Sequence, residues 1–309
     1  MVEIQRRLGA VGFLGTSFIE PGYFCEFTQQ ALRDFQTHRG LLADGICDRN
    51  TWDSLIESSW YLGARLLYLT APHQRGDDVI ALQTKLATLG FDCGRIDGVL
   101  GPESIHSLTD FQHNYGLIAD GICGAETLQA LDRMSTQTGS GPGIVSVREF
   151  EKLHQSAMSA DSPKIVVGCF GSLQEVSRAL TRKLRERYDD VLTVEESDTT
   201  LHAHAANSFQ ADVYIGVANS CEQHHEIAFY ETEGFSSPGG RRLAHSMAEE
   251  ISGLGLLPCF AKGMRLPILR ATRMSAVVCT IGSSSPPTPY ATIPAICVAI
   301  EAWFEQDTN

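Results

Sequence analysis

The first 134 residues alternate between short amphipathic runs and turns that contain glycine. Two of the runs repeat an apolar residue at intervals of four and then three: Ile4, Leu8 and Val11 in one, and Leu82, Leu86 and Leu89 in the other. This spacing places the apolar side chains on one face of a helix. Gly12 and Gly90 follow the runs, at positions where glycine can end a helix in the left-handed conformation. We therefore predict short helices that pack through these apolar faces.

The helical region contains two copies of one unit. Residues 34–47 match residues 110–123 at a constant offset of 76, and residues 4–13 match residues 82–91. In each copy a second helix carries a Phe-Gln pair and is followed by an Asp-Gly turn. A threonine after that turn can open a third helix. The repeat predicts two small all-α modules of three helices each.

The second half of the chain has a different pattern, in which short apolar runs alternate with amphipathic segments. Strands are predicted at residues 164–168, 191–194, 211–217, 226–230 and 276–282. Helices are predicted at residues 172–188, 202–208, 239–254 and 293–304. Strands that alternate with helices predict an α/β domain with a central, mostly parallel sheet covered on both faces.

Glycine, serine and proline accumulate between the two halves and mark a linker, in which residues 147–154 could form a short helix. The predicted organisation is module 1 at 1–58, an apolar connector at 59–75, module 2 at 76–134, the linker at 135–163 and the α/β domain at 164–309. The chain is therefore predicted to be a multidomain protein.

Charge and cysteine content restrict the partners and the compartment. Lys and Arg number 24 against 37 Asp and Glu, for a net charge of −13, which disfavours nucleic acids and anionic membranes as partners. No apolar run approaches the roughly 18 residues of a membrane span. The nine cysteines include no CxxC pair, and the first residues lack an apolar signal region. We predict a cytoplasmic protein, with an exported one as the alternative.

The residues around each Asp-Gly turn resemble the peptidoglycan-binding three-helix module that is attached to many cell-wall hydrolases. The resemblance implies a shallow groove for the peptides or glycans of the cell wall. Gln36, Asp44, Gln112 and Asp120 are the candidate ligand-binding residues of the two modules. The alternative is a structural role, in which the carboxylates hold the turns and the amides pack between helices.

Residues 164–304 resemble the zinc-dependent N-acetylmuramoyl-L-alanine amidases in the order of their strands and helices. That family binds zinc through two histidines and a glutamate and uses a second glutamate as acid and base. One ligand histidine falls on Ala218 and the catalytic glutamate on Thr280, and the loop that carries the other two ligands is missing. The resemblance therefore predicts a degenerate amidase that is not an enzyme and has no cofactor.

A rebuilt metal site is the alternative. The thiol and imidazole groups that could form it belong to His202, His204, Cys221, His224 and His225. Such a site needs three protein ligands that converge on one ion. The alternative function is thus a zinc-dependent amidase that hydrolyses peptidoglycan.

The whole arrangement, two modules before an amidase-like domain, resembles a group of actinobacterial cytoplasmic regulators of peptidoglycan synthesis. The resemblance implies a regulator or scaffold that stimulates the UDP-N-acetylglucosamine enolpyruvyl transferase. Its partner would be that enzyme or another regulator, and a muramyl peptide or another precursor could also bind. The basic candidates for the former substrate face of the amidase fold are Arg241, Arg265, Arg270 and Arg273. A second alternative is an exported peptidoglycan-binding protein.

Overall fold

The computed structural model describes residues 1–15, 20–135, 163–196, 198–220, 222–232, 235–282 and 288–306. The chain divides into two compact units, of which one contains the helical modules and the other contains the α/β domain. The predicted fold class is confirmed. The predicted helix at 147–154 lies outside the described residues.

Each module contains the three predicted helices. In module 1 they are α1 (Val2–Ala10), α2 (Glu26–His38) and α3 (Arg49–Glu57). In module 2 they are α4 (Asp77–Thr88), α5 (Pro102–Tyr115) and α6 (Ala125–Ser135). Gly12 and Gly90 follow the first helix of each module with φ of 84° and 89°, the left-handed conformation that a residue with a Cβ rarely adopts.

The two modules have matching cores. Leu8, Leu32, Phe35 and Leu55 are fully buried in module 1, and Leu82, Leu86, Leu108 and Leu131 are fully buried in module 2. One aromatic pair is repeated as well, because Phe13 meets Phe35, and Phe91 meets Phe111, edge to face at 5.5 Å between ring centroids. The periodicity therefore identified the buried faces correctly.

The connector packs on module 2. Leu67 is buried and pairs with Cys123, whose amide donates to the Leu67 carbonyl at 2.8 Å. The guanidinium of Arg65 lies over the ring of Trp60 at 4.4 Å and forms two hydrogen bonds with the Asp78 carboxylate. The apolar residues of the connector thus belong to the fold of the helical unit.

The α/β domain contains seven strands and six helices among its described residues. The strands are β1 (Ile165–Phe170), β2 (Val191–Val194), β3 (Val213–Asn219), β4 (His225–Thr232), β5 (Phe235–Ser236), β6 (Cys259–Met264) and β7 (Ser275–Ile281). The helices are α7 (Gln174–Leu184), α8 (Thr199–Phe209), α9 (Pro238–Gly253), α10 (Pro267–Ala271), α11 (Thr288–Ala291) and α12 (Ile293–Gln306).

The strand order is β2-β1-β3-β7-β4-β5, and β6 also pairs with β4. Strands β2, β1, β3 and β7 are parallel, whereas β4 is antiparallel to β7, and β6 is parallel to β4. Apolar residues of α7, α9 and α12 form the core on one face of the sheet. We call the edge where β1, β3 and β7 end the carboxyl edge; β4 and β6 begin at this edge and end at the opposite one.

The sequence pattern missed four elements of this domain, namely β5, β6, α10 and α11. Strand β6 lacks a clear apolar alternation because it contains Lys262 and Gly263 and exposes Phe260. Its pairing with β4 stabilises it instead. The helix predicted at 172–188 is shorter and spans Gln174–Leu184. Among the described residues, no helix combines the length and the apolar character needed to cross a membrane.

Candidate functional site

The glutamine of each Phe-Gln pair holds the Asp-Gly turn that follows it. Nε2 of Gln36 donates to Asp44 Oδ1, the Ile46 carbonyl and Thr51 Oγ1 at 3.0, 2.9 and 3.0 Å. Oε1 of Gln36 accepts from the Gly45 amide at 2.8 Å. The side chain is 1% exposed, so both ends of its amide are used inside the fold.

Module 2 repeats this arrangement around Gln112. Its Nε2 donates to Asp120 Oδ1, the Ile122 carbonyl and Thr127 Oγ1 at 2.9, 3.0 and 3.2 Å, and its Oε1 accepts from the Gly121 amide at 2.9 Å. These contacts support the structural alternative for both glutamines. A buried amide whose donors and acceptor are all bonded has no free group for a ligand.

The two turn aspartates have a mixed role. Asp44 and Asp120 are exposed, and in each the Oδ1 atom accepts from the backbone amide two residues on, at 2.8 and 2.9 Å. The hydrogen bonds from the Ile122 amide and from Gln112 lower the pKa of Asp120 because they stabilise the charged form. Binding of a wall ligand by these carboxylates stays a prediction.

The sequence analysis missed that a glutamine holds a turn in the same way at two further places in the modules. Gln5 Oε1 accepts from the Gly22 amide and Gln83 Oε1 from the Gly98 amide, both at 2.8 Å. A hydroxyl six residues after each turn glycine accepts from the glutamine Nε2: Thr28, Thr51, Ser104 and Thr127. This six-residue spacing is the signal that would have found all four turns, which we call the glutamine turns.

Exposed apolar side chains flank the second turn of each module. Leu42 is 67% exposed and Ile118, its counterpart at the offset of 76, is 80% exposed. Ile46 and Ile122 form a second equivalent pair at 61% and 38% exposure. Exposed apolar residues at repeated positions are typical of a surface that contacts another molecule. The repeat offset is again the signal that could have identified them.

In the α/β domain, the two family positions lie side by side at the carboxyl edge. Ala218 on β3 is in register with Thr280 on β7 and with Phe170 on β1, and Glu226 on β4 pairs with Thr280 from the other side. That these two positions correspond to the ligand histidine and the catalytic glutamate of the family stays a prediction. A methyl group cannot bind zinc, and a threonine hydroxyl does not act as a carboxylate base near neutral pH.

His202 is buried beside this edge with both ring nitrogens in use. Nε2 lies 2.7 Å from the Glu196 carbonyl, which can only accept, so Nδ1 accepts from the Tyr214 hydroxyl at 2.8 Å. Burial lowers the pKa of His202, and the ring stacks on Phe170 at 4.4 Å between centroids. His202 is therefore a packed neutral imidazole.

His225 opens β4 and is also fully buried. Its Nδ1 accepts from the Gly282 amide at 3.1 Å, which leaves the proton of the neutral ring on Nε2. Burial and the neighbouring His224 lower the pKa of His225. Nε2 of this ring has no hydrogen-bond partner within the described part of the chain.

The amidase fold implies zinc, but the residues do not fit it. In His202 and His225, Nδ1 accepts a hydrogen bond and Nε2 carries the proton, so neither ring has a free lone pair for a metal ion. His204 is exposed on α8, and Cys221 lies outside the described residues. Across the described ranges, no three His, Cys, Asp or Glu side chains are grouped so that they could hold a metal ion. We derive no step through zinc.

The basic candidates lie at the edge of the sheet opposite Ala218 and Thr280, so the structure does not bring them together with those positions. Arg265 follows the end of β6, and Arg273 precedes β7, where its amide donates to Asn207. Arg270 lies on α10 between them, and Arg241 is in the first turns of α9, whose Gly240 approaches the Ala276 carbonyl. Arg265 reaches this edge because β4 and β6 run antiparallel to β7, and Arg273 lies there because it precedes β7.

Three comparisons with known proteins place this geometry in context. The family model described as “Putative peptidoglycan binding domain” matches residues 1–55 and 75–131. N-acetylmuramoyl-L-alanine amidase CwlM of Mycobacterium tuberculosis is 34% identical over 290 residues, which cover 82% of this chain and 70% of that protein. N-acetylmuramoyl-L-alanine amidase CwlL of Bacillus licheniformis is 31% identical over 144 residues, 40% of each chain.

Among solved structures, the catalytic domain of the N-acetylmuramoyl-L-alanine amidase CwlV from Bacillus (Paenibacillus) polymyxa var. colistinus matches at a TM-score of 0.35. It is 14% identical and covers 46% of this chain and 98% of that domain. The two sequence relatives contradict the prediction that the chain is not an enzyme, because one that matches 82% of the chain and one that matches 40% of it are both named amidases.

Proposed function

The chain belongs to the family of N-acetylmuramoyl-L-alanine amidase CwlM, and from that premise we propose that it regulates the synthesis of peptidoglycan precursors. Its function concerns peptidoglycan, as the two matched modules and the named amidases indicate. The proposed partner is the UDP-N-acetylglucosamine enolpyruvyl transferase. The proposal includes a cytoplasmic location, where such a precursor enzyme works and where the free cysteines stay reduced.

The observation that supports a partner most directly is the repeated apolar surface on the two modules. Leu42 and Ile118 occupy equivalent positions beside the two Asp-Gly turns and are largely exposed. A side chain that is largely exposed in its own module contributes little to the core there, but it can bury apolar area against another protein. Two equivalent surfaces on one chain can engage a partner together and raise its apparent affinity.

The test is the rate of the purified transferase in the presence of the full chain. We expect stimulation of about fivefold or more, the lower end of the coupling that allosteric partners show. Ile118→Asp should reduce the stimulation, since a charge replaces an exposed apolar contact. Phe27→Asp, which changes another largely exposed apolar residue away from the Asp-Gly turns, is the matched control. An unchanged rate with no co-purification would overturn the proposal.

Amidase activity is the second candidate function, and the names of the relatives favour it. Elemental analysis of the protein, purified without a metal-binding tag, should then give about one zinc per chain, as a catalytic site requires. Release of peptides from purified cell-wall sacculi should accompany it. The double variant His204→Ala, His224→Ala would lose the metal if these side chains rebuilt the site. Sacculi left intact would rule out this candidate.

A further inference from the structure

Strand β6 is an outer edge of the sheet in the α/β domain. It pairs with β4, and no further strand among the described residues pairs with it. An edge strand presents backbone N–H and C=O groups that have no partner within the sheet, so a second strand can pair with them. Proteins usually protect such an edge with a charge, a short strand or a covering side chain. The two outer edges of this sheet differ in this protection.

The edge formed by β2 is protected by its own domain. The strand is short and spans only Val191–Val194. The guanidinium of Arg185 donates to the Val191 carbonyl from Nε at 3.3 Å and from Nη2 at 2.8 Å. The hydroxyls of Thr181 on α7 and Thr193 on β2 are 2.7 Å apart and share a hydrogen bond. A short strand whose carbonyl is already bonded offers little to a second strand.

The charge on β6 is neutralised within the sheet. A lysine on an edge strand usually prevents pairing, because its charge would have to be buried against the second strand. Lys262 is the lysine of β6, and its Nζ lies 3.1 Å from the Glu226 carboxylate on the neighbouring strand β4. Lys262 therefore protects this edge less than an isolated lysine would.

An aromatic side chain is exposed on the same strand. Phe260 is 57% exposed, and the loop that leads into β6 exposes Leu254 and Leu256 as well. The ring of His224 contacts the ring of Phe260 edge to face, at 5.9 Å between centroids. Phe260 and Lys262 share one face of the sheet, because residues two apart in a strand point to the same side. The edge thus presents a phenyl ring and an ammonium group side by side.

We propose that β6 pairs with β6 of a second copy of this chain, so that the two sheets join into one. Two identical edge strands related by a two-fold axis run antiparallel, and directly opposite side chains lie on the same face. Three registers overlap most of the strand. They place Phe260 opposite Phe260, Lys262 or Met264 of the second copy.

The proline and the charges select one of these registers. If Phe260 faced Phe260, Lys262 would face Pro258, which has no amide hydrogen to donate to the pairing. If Phe260 faced Met264, the two Lys262 ammonium groups would face each other, and like charges directly opposite each other destabilise a sheet. The register that remains places Phe260 opposite Lys262.

In this register the two edges are complementary. Ala261 faces Ala261 at the centre, and Phe260 faces Lys262 once on each side of it. Each ammonium group then lies between the Glu226 carboxylate of its own chain and the phenyl ring of the second copy, a favourable cation–π contact. Pairing over residues 259–263 forms a small interface, so we expect a Kd in the micromolar range. The inference does not depend on the proposed regulation of the transferase.

The test is analytical ultracentrifugation of the full chain from about 1 to about 300 µM, a range that spans the Kd of a small interface. The mean mass should rise from that of one chain toward that of two. Phe260→Lys opposes two lysines in the proposed register and should raise the Kd about tenfold or more. The double exchange Phe260→Lys, Lys262→Phe restores the contact and should recover the dimer. Leu201→Lys, the same kind of change at a 48% exposed residue of α8, should leave the Kd unchanged.

Hydrogen exchange of the native chain tests the pairing without any substitution. The amides of residues 259–263 should exchange more slowly at high concentration than at low concentration, whereas those of residues 191–194 on β2 should not change. Circular dichroism shows whether each variant keeps its fold.

A mass of one chain at every concentration contradicts the proposal, and so does a native Kd in Phe260→Lys. A dimer whose β6 amides exchange at the same rate as in the monomer would mean that the copies associate through another surface, which also contradicts it. Ile118→Asp, which tests the transferase surface, should leave the dimer intact, so the two proposals fail or stand separately.

Discussion

The four glutamine turns of the two modules differ in one residue. In three of them an aspartate precedes the glycine, and its Oδ1 accepts from the glutamine at 2.9–3.1 Å: Asp44, Asp97 and Asp120. In the first turn Pro21 takes that place, and Gln5 donates to the Glu20 carbonyl at 3.4 Å instead. Its hydrogen bond to the Tyr23 carbonyl is the counterpart of the bonds that the other glutamines form with the carbonyl after the turn glycine. The glutamine is thus the element common to all four turns, and the aspartate is not required for the turn to form.

This difference teaches that each module is itself built from two related halves. Every half consists of a helix with a buried glutamine, a turn glycine whose amide donates a hydrogen bond to that glutamine, and a hydroxyl side chain six residues after the glycine. The middle helix serves as the end of one half and the start of the next. The glutamine amide replaces the backbone partners that a tight turn between two helices cannot provide.

Replacing the buried glutamines gives the largest expected effect. Gln36→Ala and Gln112→Ala should each destabilise their module by about 3 kcal/mol, because several buried donors and acceptors lose their partner. Gln5→Ala should cost less, about 1 kcal/mol, since water can donate to the part-buried carbonyls in place of the Gln5 amide. Native-state hydrogen exchange, followed by mass spectrometry over residues 36–51 and 112–127, measures each turn separately.

Gln30→Ala is the matched control, because Gln30 is exposed on the same helix as Gln36 and bonds only to the surface residue Asp34. It should change stability by less than about 0.5 kcal/mol. If Gln36→Ala and Gln112→Ala differed widely, the two second turns would not be equivalent. A small effect of both would contradict the structural role of the amides.

In the modules, the sequence predicted nearly all of the fold. Apolar periodicity identified Leu8, Leu82 and the other buried faces, and the glycines identified the helix ends. The role of Gln36 and Gln112 was left open between ligand binding and packing. The distinction depends on which partners surround a polar group, and spacing along the chain carries that information only when all four turns are compared.

In the α/β domain, local pattern identified the central strands but not their directions. Continuous apolar runs identified β1, β3 and β7. In the structure, the pairing of β3 with β7 puts Ala218 beside Thr280. The direction of β4 depends on the path of the chain after β3, which no local pattern encodes. That direction moves Arg265 to the edge opposite Thr280. The sequence also could not predict that His202 and His225 are unable to bind a metal ion, because this depends on the hydrogen bonds of their rings.

Removing a single hydroxyl that accepts from a turn glutamine should have an intermediate effect on stability. Thr127→Val keeps the shape of the side chain and removes one of three acceptors of Gln112 Nε2, so we expect a loss of about 1 kcal/mol. Ser104→Ala should cost a similar amount in the turn held by Gln83. Thr109→Val is the control in the same module, since Thr109 bonds only to a carbonyl of its own helix. A loss at Thr109 as large as at Thr127 would contradict this account.

The smallest effect separates the turns with an aspartate from the one with Pro21. The folded pKa of Asp120 lies below its unfolded value of about 3.9, so its contribution is fully present above that value. It is lost as the pH falls through the folded pKa. Protection of the Gly121 amide should therefore decline as the pH falls below about 4 in the native chain.

Asp120→Asn retains an acceptor oxygen and removes the titration, so the variant should show a flatter pH dependence at Gly121. Because Asp120 is exposed, solvent screens the carboxylate and the difference will be small. Glu126→Gln, another exposed carboxylate of module 2, should leave the slope at Gly121 as it is in the native chain. The turn at Gly22, which has no aspartate, should keep the same slope in every variant. An identical slope at Gly121 with aspartate and asparagine would mean that the carboxylate charge does not stabilise the turn, and that the four glutamine turns are energetically alike.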